Sequence, residues 1–258
     1  MKILVCVKQV PATDSRIKPT GDGVGVDLSS VDWIINPYDE FAIEEALQLK
    51  AKHDGEVVVV SIGGDKVEDA MRSALALGVD TAEVIKDAGS AASDSLGIAK
   101  GLAAIAKRHN PDLILCGKQA VDDDQMAVPA MLAELLDLPQ ATVVVGMEVA
   151  EDGKSAKVDR EIEGGHEKIE VTFPAVIATQ KGLNEPRYAN LKGIMAAKKK
   201  KIEVLSAADL GLGEFGSKVE VLAVNPPAEK TGARMIEGDA AAQVTELIKV
   251  LHDEEKII

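Results

Sequence analysis

The chain is poor in the residues on which several large classes of protein depend. It has six aromatic residues in 258 and two cysteines, and its apolar runs are far shorter than the roughly 18 residues that cross a bilayer. Few aromatic rings leave little surface for stacking nucleic-acid bases, and a net charge of −14 disfavours binding to a phosphate backbone. The N-terminus shows no apolar segment with a cleavage site. We therefore expect a soluble cytoplasmic protein that binds no nucleic acid.

The familiar catalytic signatures are missing as well. Cys6 and Cys116 lie in apolar, strand-like runs, which predicts small core residues of a reducing compartment. The four histidines are scattered, and the chain has neither a Gly-x-Ser-x-Gly motif nor a His-Glu-x-x-His motif. Three consecutive aspartates at 122–124 point apart and lack the spacing of a calcium or zinc site, so no metal is expected. The pattern favours a binding protein over an enzyme.

Strand and helix patterns alternate through the first half of the chain. Asn36 and Pro37 open an amphipathic helical stripe as N-cap and first helical residue, and Asp65 with Glu68 resembles the capping box of a second helix. A third helix is expected from about Ser93 to Arg108. Short apolar strands precede and follow these helices, at residues 2–8, 57–62, 82–86 and 112–116. The order predicts an α/β fold, a doubly wound parallel sheet with helices on both faces.

The second half changes character. Four consecutive strand-like runs between residues 142 and 180 are separated by turn residues, which suggests strands added in antiparallel fashion. A final amphipathic helix is expected from about Asp239 to His252. We therefore predict a nucleotide-binding domain at residues 1–202, including a recognition loop at 183–202, and an extended C-terminal arm at 203–258 whose core is too thin to stand alone.

Topology predicts where a ligand would bind. In an open parallel sheet, ligands lie at the carboxyl ends of the strands, and residues 6–8, 36–39, 62–64 and 117–128 should meet there. Gly117 permits close backbone approach, and the amides near residues 125–128, or those after Gly63 and Gly64, could receive a phosphate. An aspartate of the 122–124 run could accept a hydrogen bond from a ribose. The alternative is an acid-rich loop that merely caps helices, since no known phosphate-loop motif is present. Gly21, Gly23 and Gly25 fit a hairpin better.

One short segment runs against the acidic balance of the chain. Residues 184–201 carry six cations and a single acid, Glu185. Around Leu191 the sequence has no clean period, which predicts an exposed ordered loop. An apolar anchor among cations suits docking onto an acidic partner, because charge steers the encounter and the anchor supplies contact energy. The segment could equally fold back on the chain's own acidic surface.

Several stretches together carry a family resemblance. Residues 158–179, which read VDREIEGGHEKIEVTFPAVIAT, and residues 183–203, which read LNEPRYANLKGIMAAKKKKIE, closely resemble the β subunits of electron transfer flavoproteins. The likeness extends to KILVCVKQV, INPYDEFAIEEAL and GKQAVDDD, and so covers nearly the whole chain. The combination is far more specific than any single stretch.

The resemblance implies a cofactor arrangement and a set of site residues. It implies a heterodimer with an α subunit that holds most of the FAD, and a structural AMP in a Rossmann-like domain of this chain. The implied AMP-binding residues are Cys6, Asn36, Pro37, Tyr38, Asp39, Ile62, Gly117, Lys118, Gln119, Ala120, Val121, Asp122, Asp123, Asp124, Gln125, Met126, Ala127 and Val128. Arg160 and Glu161 would face the α subunit near the flavin, and the C-terminal arm would reach that subunit's FAD domain.

The resemblance also implies partners. Leu191 would anchor a donor flavoprotein dehydrogenase, such as an acyl-CoA dehydrogenase of fatty acid oxidation, and electrons would pass to a membrane quinone oxidoreductase. The implied partner-binding residues are Pro186, Arg187, Tyr188, Leu191, Ile194 and Met195. No catalytic residue is implied in this chain, because the redox chemistry belongs to the flavin.

Two departures from the family pattern bear on the nucleotide. After the aspartates this chain reads QMAVPAM, where many relatives carry Asn and Gln followed by Thr or Val and then Gly. Because the side chains differ, the contacts expected at residues 125–128 are those of the backbone. Relatives that bifurcate electrons with a second FAD tend to read Asp-Gly-Asp where this chain has three aspartates, which favours AMP. The rival readings are that bifurcating carrier and a free-standing stress or signalling protein that binds an adenine nucleotide.

Overall fold

The computed structural model describes residues 1–86, 94–213, 216–228 and 232–258. The chain forms two units, Met1–Ala223 and Val224–Ile258. The helices are α1 (Pro37–His53), α2 (Val67–Leu77), α3 (Ser95–His109), α4 (Val128–Leu136), α5 (Leu191–Ala197) and α6 (Ala240–Lys249). Among the described residues, no helix is long and apolar enough to cross a membrane.

A nine-stranded sheet organises the larger unit. The strands are β1 (Lys2–Cys6), β2 (Gln9–Pro11), β3 (Lys18–Pro19), β4 (Val26–Asp27), β5 (Trp33–Ile35), β6 (Glu56–Ile62), β7 (Thr81–Ile85), β8 (Leu113–Gly117), β9 (Gln140–Val149), β10 (Ser155–Ile162), β11 (Gly165–Thr172), β12 (Ala175–Thr179) and β13 (Ile202–Leu205). The order in the main sheet is β11-β10-β9-β12-β8-β1-β6-β7-β13. Two small antiparallel pairs, β2 with β5 and β3 with β4, stand outside it. The second pair is the hairpin predicted from Gly21, Gly23 and Gly25.

Both faces of the central parallel strands are buried. Along β1, Ile3 and Val5 join the core beneath α1 and α2, whereas Leu4 and Cys6 join the core beneath α3 and α4. Successive side chains of a strand point to opposite faces, which is why the strand reads as an unbroken apolar run. The α/β fold with helices on both faces of a mostly parallel sheet is confirmed.

The antiparallel part of the sheet is smaller than the sequence suggests. β10 pairs antiparallel with β9 and with β11, as predicted. β12 was grouped with these runs, but it pairs parallel with both β8 and β9. The β11 strand ends in a turn that returns the chain to the middle of the sheet, so β12 lies beside the strand that leads into the candidate site.

Two helix starts differ from their expected caps. Asn36 occupies the N-cap of α1 with Pro37 behind it, yet its side chain makes no capping bond. The capping box at Asp65 and Glu68 is wrong, because α2 begins at Val67 and Glu68 instead lies 3.2 Å from the Lys86 ammonium. The expected start of the third helix at Ser93 lies outside the described residues, and α3 begins at Ser95 with Asp94 as its cap.

The end of the chain contains the predicted amphipathic helix. β13, at the expected division between domain and arm, is an edge strand that pairs with β7. In the smaller unit, the Asp239 carboxylate caps α6 by accepting a hydrogen bond from the Ala242 amide at 2.9 Å. Within the described chain α6 buries none of its residues, and Val244, Leu247 and Ile248 are about half exposed.

Candidate functional site

A cavity of about 560 Å³ opens at the carboxyl ends of β1, β6 and β8. Fourteen of the eighteen candidate nucleotide-binding residues line it, namely Cys6, Asn36, Asp39, Ile62, Gly117, Lys118, Gln119, Ala120, Asp122, Asp123, Gln125, Met126, Ala127 and Val128. Gly63 and Gly64, from the second predicted phosphate position, line it too. The other four, Pro37, Tyr38, Val121 and Asp124, are not among its lining residues. The structure therefore brings together the four segments that topology predicted to meet.

Asn36 joins the start of α1 to the loop after β8. Its amide nitrogen donates to the Gln119 carbonyl at 2.8 Å, and its amide oxygen accepts from the Val121 backbone nitrogen at 3.1 Å. The residue is only 1% exposed. A buried amide with both ends satisfied holds the two segments in one relative position. Asn36 thus shapes the cavity wall from within.

Asp39 braces two strand ends under the cavity. Its carboxylate accepts from the backbone nitrogen of Lys8 at 2.7 Å and from that of Gly117 at 3.0 Å. Burial raises the pKa of Asp39 to about 7, although these hydrogen bonds favour the charged form. Gly117 has no room for a side chain, because a Cβ there would collide with Asp39 Oδ1 and with Tyr38. The glycine is required by this close approach.

Lys8 neutralises part of the aspartate run. Its ammonium lies 2.7 Å from the Asp122 carboxylate and 2.9 Å from that of Asp123. Burial lowers the pKa of Lys8, but the two carboxylates outweigh it and leave the pKa above its ordinary value. Asp124 points elsewhere and accepts from the Gln119 amide at 2.5 Å. The expectation that all three aspartates diverge is therefore wrong for Asp122 and Asp123, which meet at one ammonium, and holds for Asp124 alone. No described group of three or more His, Cys, Asp or Glu residues could hold a metal ion.

The start of α4 offers unclaimed backbone donors to the cavity. Ala127 is the N-cap and no described side chain makes a capping bond there, whereas α3 is capped by the Asp94 carboxylate at 2.8 Å from the Gly97 nitrogen. Just before α4, Asp124 and Met126 have positive φ angles of 50° and 54°. Such left-handed backbone in residues other than glycine is uncommon and tends to occur at ligand sites. The free amides and the helix dipole suit an anion.

Cys6 and Cys116 form a pair in the cavity wall. They are direct partners in the register between β1 and β8, and both are free thiols in buried positions. Contact with Cys6, together with burial, raises the pKa of Cys116 well above its ordinary value. A thiol held in its neutral form is a poor nucleophile. The expectation that both are core residues agrees with this environment.

The basic segment presents an apolar patch. Tyr188 is 97% exposed, Leu191 77%, Met195 52% and Ile194 41%. Leu191, Ile194 and Met195 belong to α5, so the segment predicted as a loop contains a short helix, which Asn190 caps by accepting from the Gly193 nitrogen at 2.8 Å. The sequence left open whether this segment is exposed for docking or folds back on the protein. Leu191 is exposed, whereas the chain on either side of it folds back.

Arg187 accounts for much of that folding back. Its guanidinium lies 2.7 and 2.9 Å from the two carboxylate oxygens of Glu44, a buried residue of α1. The Asn184 amide donates to Glu45 at 2.9 Å, and Pro186 lines a second cavity of about 520 Å³ between this segment, α1 and α2. The structure directs Arg187 toward α1 but leaves its side chain 46% exposed, so its binding to a partner stays a prediction.

Glu44 and Glu45 were not predicted to be functional, whereas Lys8 was predicted at the ligand edge only as part of residues 6–8. Glu44 and Glu45 follow Ile43 and precede Ala46 within a buried apolar stripe. Acids among apolar residues on one helix face are the signal that could have revealed buried partners. Elsewhere, Glu161 pairs with Gln180 at 3.0 Å and Arg160 with Glu167 at 2.8 Å, both near the surface.

Comparison with known proteins gives one consistent result. Residues 24–210 match the family model described as the electron transfer flavoprotein domain. The chain is 39% identical over 262 residues to the electron transfer flavoprotein subunit beta of Bacillus subtilis strain 168, with all of both chains covered. It is 40% identical over 258 residues to the human protein of that name, covering 97% of this chain and 99% of the relative. The mitochondrial relative from Arabidopsis thaliana is 40% identical over 261 residues, again with complete coverage of both.

Proposed function

Because this chain belongs to the electron transfer flavoprotein family, as a relative of its β subunits, we propose that it is the β subunit of a heterodimeric FAD-containing electron carrier. In this proposal the α subunit holds most of the FAD. The flavin supplies the redox chemistry, and the protein encloses it and docks its partners. Electrons come from flavoprotein dehydrogenases, such as acyl-CoA dehydrogenases, and leave to a membrane quinone oxidoreductase.

We propose further that the cavity at the carboxyl ends of β1, β6 and β8 holds a structural AMP. The uncapped start of α4 suits the phosphate. Gly117, which lines the same cavity, lets the start of α1 pack closely against the end of β8. Lys8, already paired with Asp122 and Asp123, keeps the cavity from being uniformly negative. The side chains of Met126, Ala127 and Val128 have no hydrogen-bond donor, so the phosphate would be bound there by backbone amides.

The same cavity gives little support to a catalytic role. Asp39 uses its carboxylate to brace strand ends, both thiols are buried, and the pKa of Cys116 is raised well above its ordinary value. Each of these groups has a structural partner, so none is poised for proton transfer or nucleophilic attack. We therefore propose a carrier subunit without catalysis of its own, in which the nucleotide stabilises the fold.

One observation carries the docking part of the proposal. Leu191 is 77% exposed on a short helix whose neighbours Lys198, Lys199 and Lys201 are also exposed. An exposed aliphatic side chain among cations fits a small apolar pocket on an acidic partner. Tyr188, Ile194 and Met195 extend the contact.

Purified protein tests the proposal directly. Co-expression with an α subunit of the same family should yield a 1:1 complex with one FAD, and mass spectrometry of the denatured complex should detect released AMP. ATP on a homodimer would instead support the stress or signalling protein. Two flavins per heterodimer would support the bifurcating carrier. Reduction of the complex by an acyl-CoA dehydrogenase and its substrate tests the electron-transfer role.

A further inference from the structure

Helix α5 lies unusually close to the end of α2. A Cβ built on Gly193 would stand 2.2 Å from the carbonyl oxygen of Ala76, whereas real Cβ atoms do not approach within 3.0 Å. The obstacle is backbone at the end of a helix, so it cannot turn away as a flexible side chain could. The contact between α5 and α2 therefore requires glycine at position 193. The same contact determines the position of Leu191, two residues earlier in α5.

Arg72 holds the other end of α5. This residue of α2 donates from Nη1 to the Ala197 carbonyl at 2.5 Å and to the Lys200 carbonyl at 2.6 Å. The Ala197 carbonyl is the last of α5, and the Lys200 carbonyl lies in the turn that follows. A cation at this end also complements the negative end of the helix dipole. Ala197 is 1% exposed and packs into the core. A single guanidinium thus closes α5 onto α2.

The flanks of the segment are held independently. Arg187 is bound by Glu44 on one side, and on the other the Lys200 ammonium donates to the Val79 carbonyl at 2.6 Å and to that of Asp80 at 3.1 Å. The exposed apolar residues between them are therefore presented on a backbone that is already ordered. A docking element that is ordered before binding avoids the entropy cost of ordering it in the complex.

We infer that Gly193 and Arg72 are positioning residues for docking: they seat α5 on α2 and so set the place from which Leu191 meets the electron donor. This inference rests on the proposed docking role of Leu191. Neither residue needs to touch the donor. Their effect on docking should depend on the presence of Leu191. A general contribution to stability would be the same with or without Leu191.

A double-mutant cycle in the complete heterodimer tests this assignment. The variants are Leu191→Ala, Gly193→Ala and the combination, assayed with an acyl-CoA dehydrogenase reduced by its substrate as the electron donor. We expect Leu191→Ala to raise the KM for the carrier about tenfold and Gly193→Ala to raise it about three- to tenfold, with kcat nearly unchanged. In the Leu191→Ala background, Gly193→Ala should add less than a twofold effect, because the anchor it positions is gone.

Arg72→Gln provides a second cycle should Gly193→Ala fail to yield a folded heterodimer. Arg72→Lys should be intermediate, since lysine keeps the charge but not the planar fork. Gly21→Ala, where a Cβ meets nothing within 4 Å, and Arg16→Gln, at an exposed arginine, are the matched controls and should behave as the wild type. Flavin content and direct reduction by dithionite should be unchanged in every variant.

The possible outcomes distinguish the docking role of Leu191 from the positioning role of Gly193 and Arg72. If Leu191→Ala leaves KM unchanged, the docking proposal fails and the inference falls with it. If Leu191→Ala raises KM but Gly193→Ala and Arg72→Gln do not, the positioning role alone is overturned. A Gly193→Ala effect of equal size in the presence and absence of Leu191 also overturns it, because the damage would then be general. Non-additive effects on KM support it.

Discussion

Glu44 of α1 and Arg187 of the segment before α5 form a two-pronged ion pair, with Nε 2.7 Å and Nη2 2.9 Å from the two carboxylate oxygens. Glu44 is 5% exposed, whereas the Arg187 side chain remains 46% exposed. The backbone nitrogen of Arg187 donates to the same carboxylate at 3.2 Å. The acid is thus the buried member of the pair, and the arginine closes it off from solvent.

Arg187→Met should destabilise the protein because it leaves a buried carboxylate without its partner. We expect a loss of about 1–3 kcal/mol, less than for a fully buried pair because the arginine is partly in solvent. The thermal midpoint of the purified heterodimer measures it. The double variant Glu44→Gln/Arg187→Met should recover much of the loss, since no charge is then stranded. A double variant as unstable as the single one would contradict this explanation.

The same pair predicts a pH dependence. Burial raises the pKa of Glu44, but hydrogen bonds from Arg187 and Gln48 outweigh it, and the folded pKa lies below the ordinary value. The pair's contribution is therefore present above the unfolded pKa and is lost as the pH falls through the folded pKa. In Arg187→Met the Gln48 hydrogen bond remains but the guanidinium is lost, so the pKa of Glu44 should rise, and the difference in melting temperature from the wild type should be larger at pH 7 than at about pH 4.5. An equal difference at both pH values would argue against this origin.

Local sequence signals predicted the elements better than the contacts between them. Asn36 and Pro37 gave the start of α1 correctly, because the N-cap preference and the fixed φ of proline are properties of two adjacent residues. The partners of the Asn36 side chain lie 83 and 85 residues further on, and no local pattern specifies them. The convergence of the four cavity segments was predictable because strand order determines it.

The recognition segment shows where local reasoning ends. Residues 191–197 were read as a loop, although Asn190 and the spacing of Leu191, Ile194 and Met195 are consistent with one helical turn and its cap. A helix of seven residues is marginal alone and depends on its packing against α2. Glu44 is buried for the same reason, since a segment 143 residues later covers it. Both features come from long-range contacts.

Asp39→Asn should change how stability varies with pH. Burial raises the pKa of Asp39 to about 7, far above the ordinary value of 3.8. Between these values the folded state holds a proton that the unfolded state has released, so the wild type loses stability as the pH rises, by at most about 1.4 kcal/mol per pH unit. Asparagine cannot titrate, so the wild-type advantage should shrink between about pH 4 and pH 7.

Chemical denaturation of the wild type and of Asp39→Asn at a series of pH values measures this advantage. At every pH the asparagine amide should itself cost about 1–3 kcal/mol, because one of the two backbone donors, of Lys8 or Gly117, loses its acceptor. Other titrating groups are common to both proteins and cancel in the difference. An advantage that does not vary with pH would mean that Asp39 is ionised throughout.

Lys8→Met should weaken retention of AMP in the proposed site. Without the ammonium, Asp122 and Asp123 are left as unpaired carboxylates beside the cavity, and they repel a phosphate monoester. We expect a roughly tenfold increase in the AMP dissociation constant, which corresponds to about 1.4 kcal/mol. Equilibrium dialysis with the nucleotide-free heterodimer measures it. Lys107→Met, which removes an exposed charge on α3, is the control, and equal affinities in both variants would remove Lys8 from the site.

Salt should weaken electron transfer from the donor through the cations beside α5. Lys198, Lys199 and Lys201 are exposed, while Lys200 is engaged with backbone carbonyls. Charges at the rim of an interface act mainly on the rate of encounter, and screening shortens their reach from about 30 Å at 0.01 M salt to about 10 Å at 0.1 M. KM should therefore rise over this range.

The double variant Lys199→Gln/Lys201→Gln should show a higher KM at low salt and a shallower salt dependence, whereas Lys52→Gln, exposed at the far end of α1, should leave both unchanged. If the double variant responds to salt as the wild type does, the lysine run does not steer the donor, and docking depends on the apolar patch of Tyr188, Leu191, Ile194 and Met195 alone.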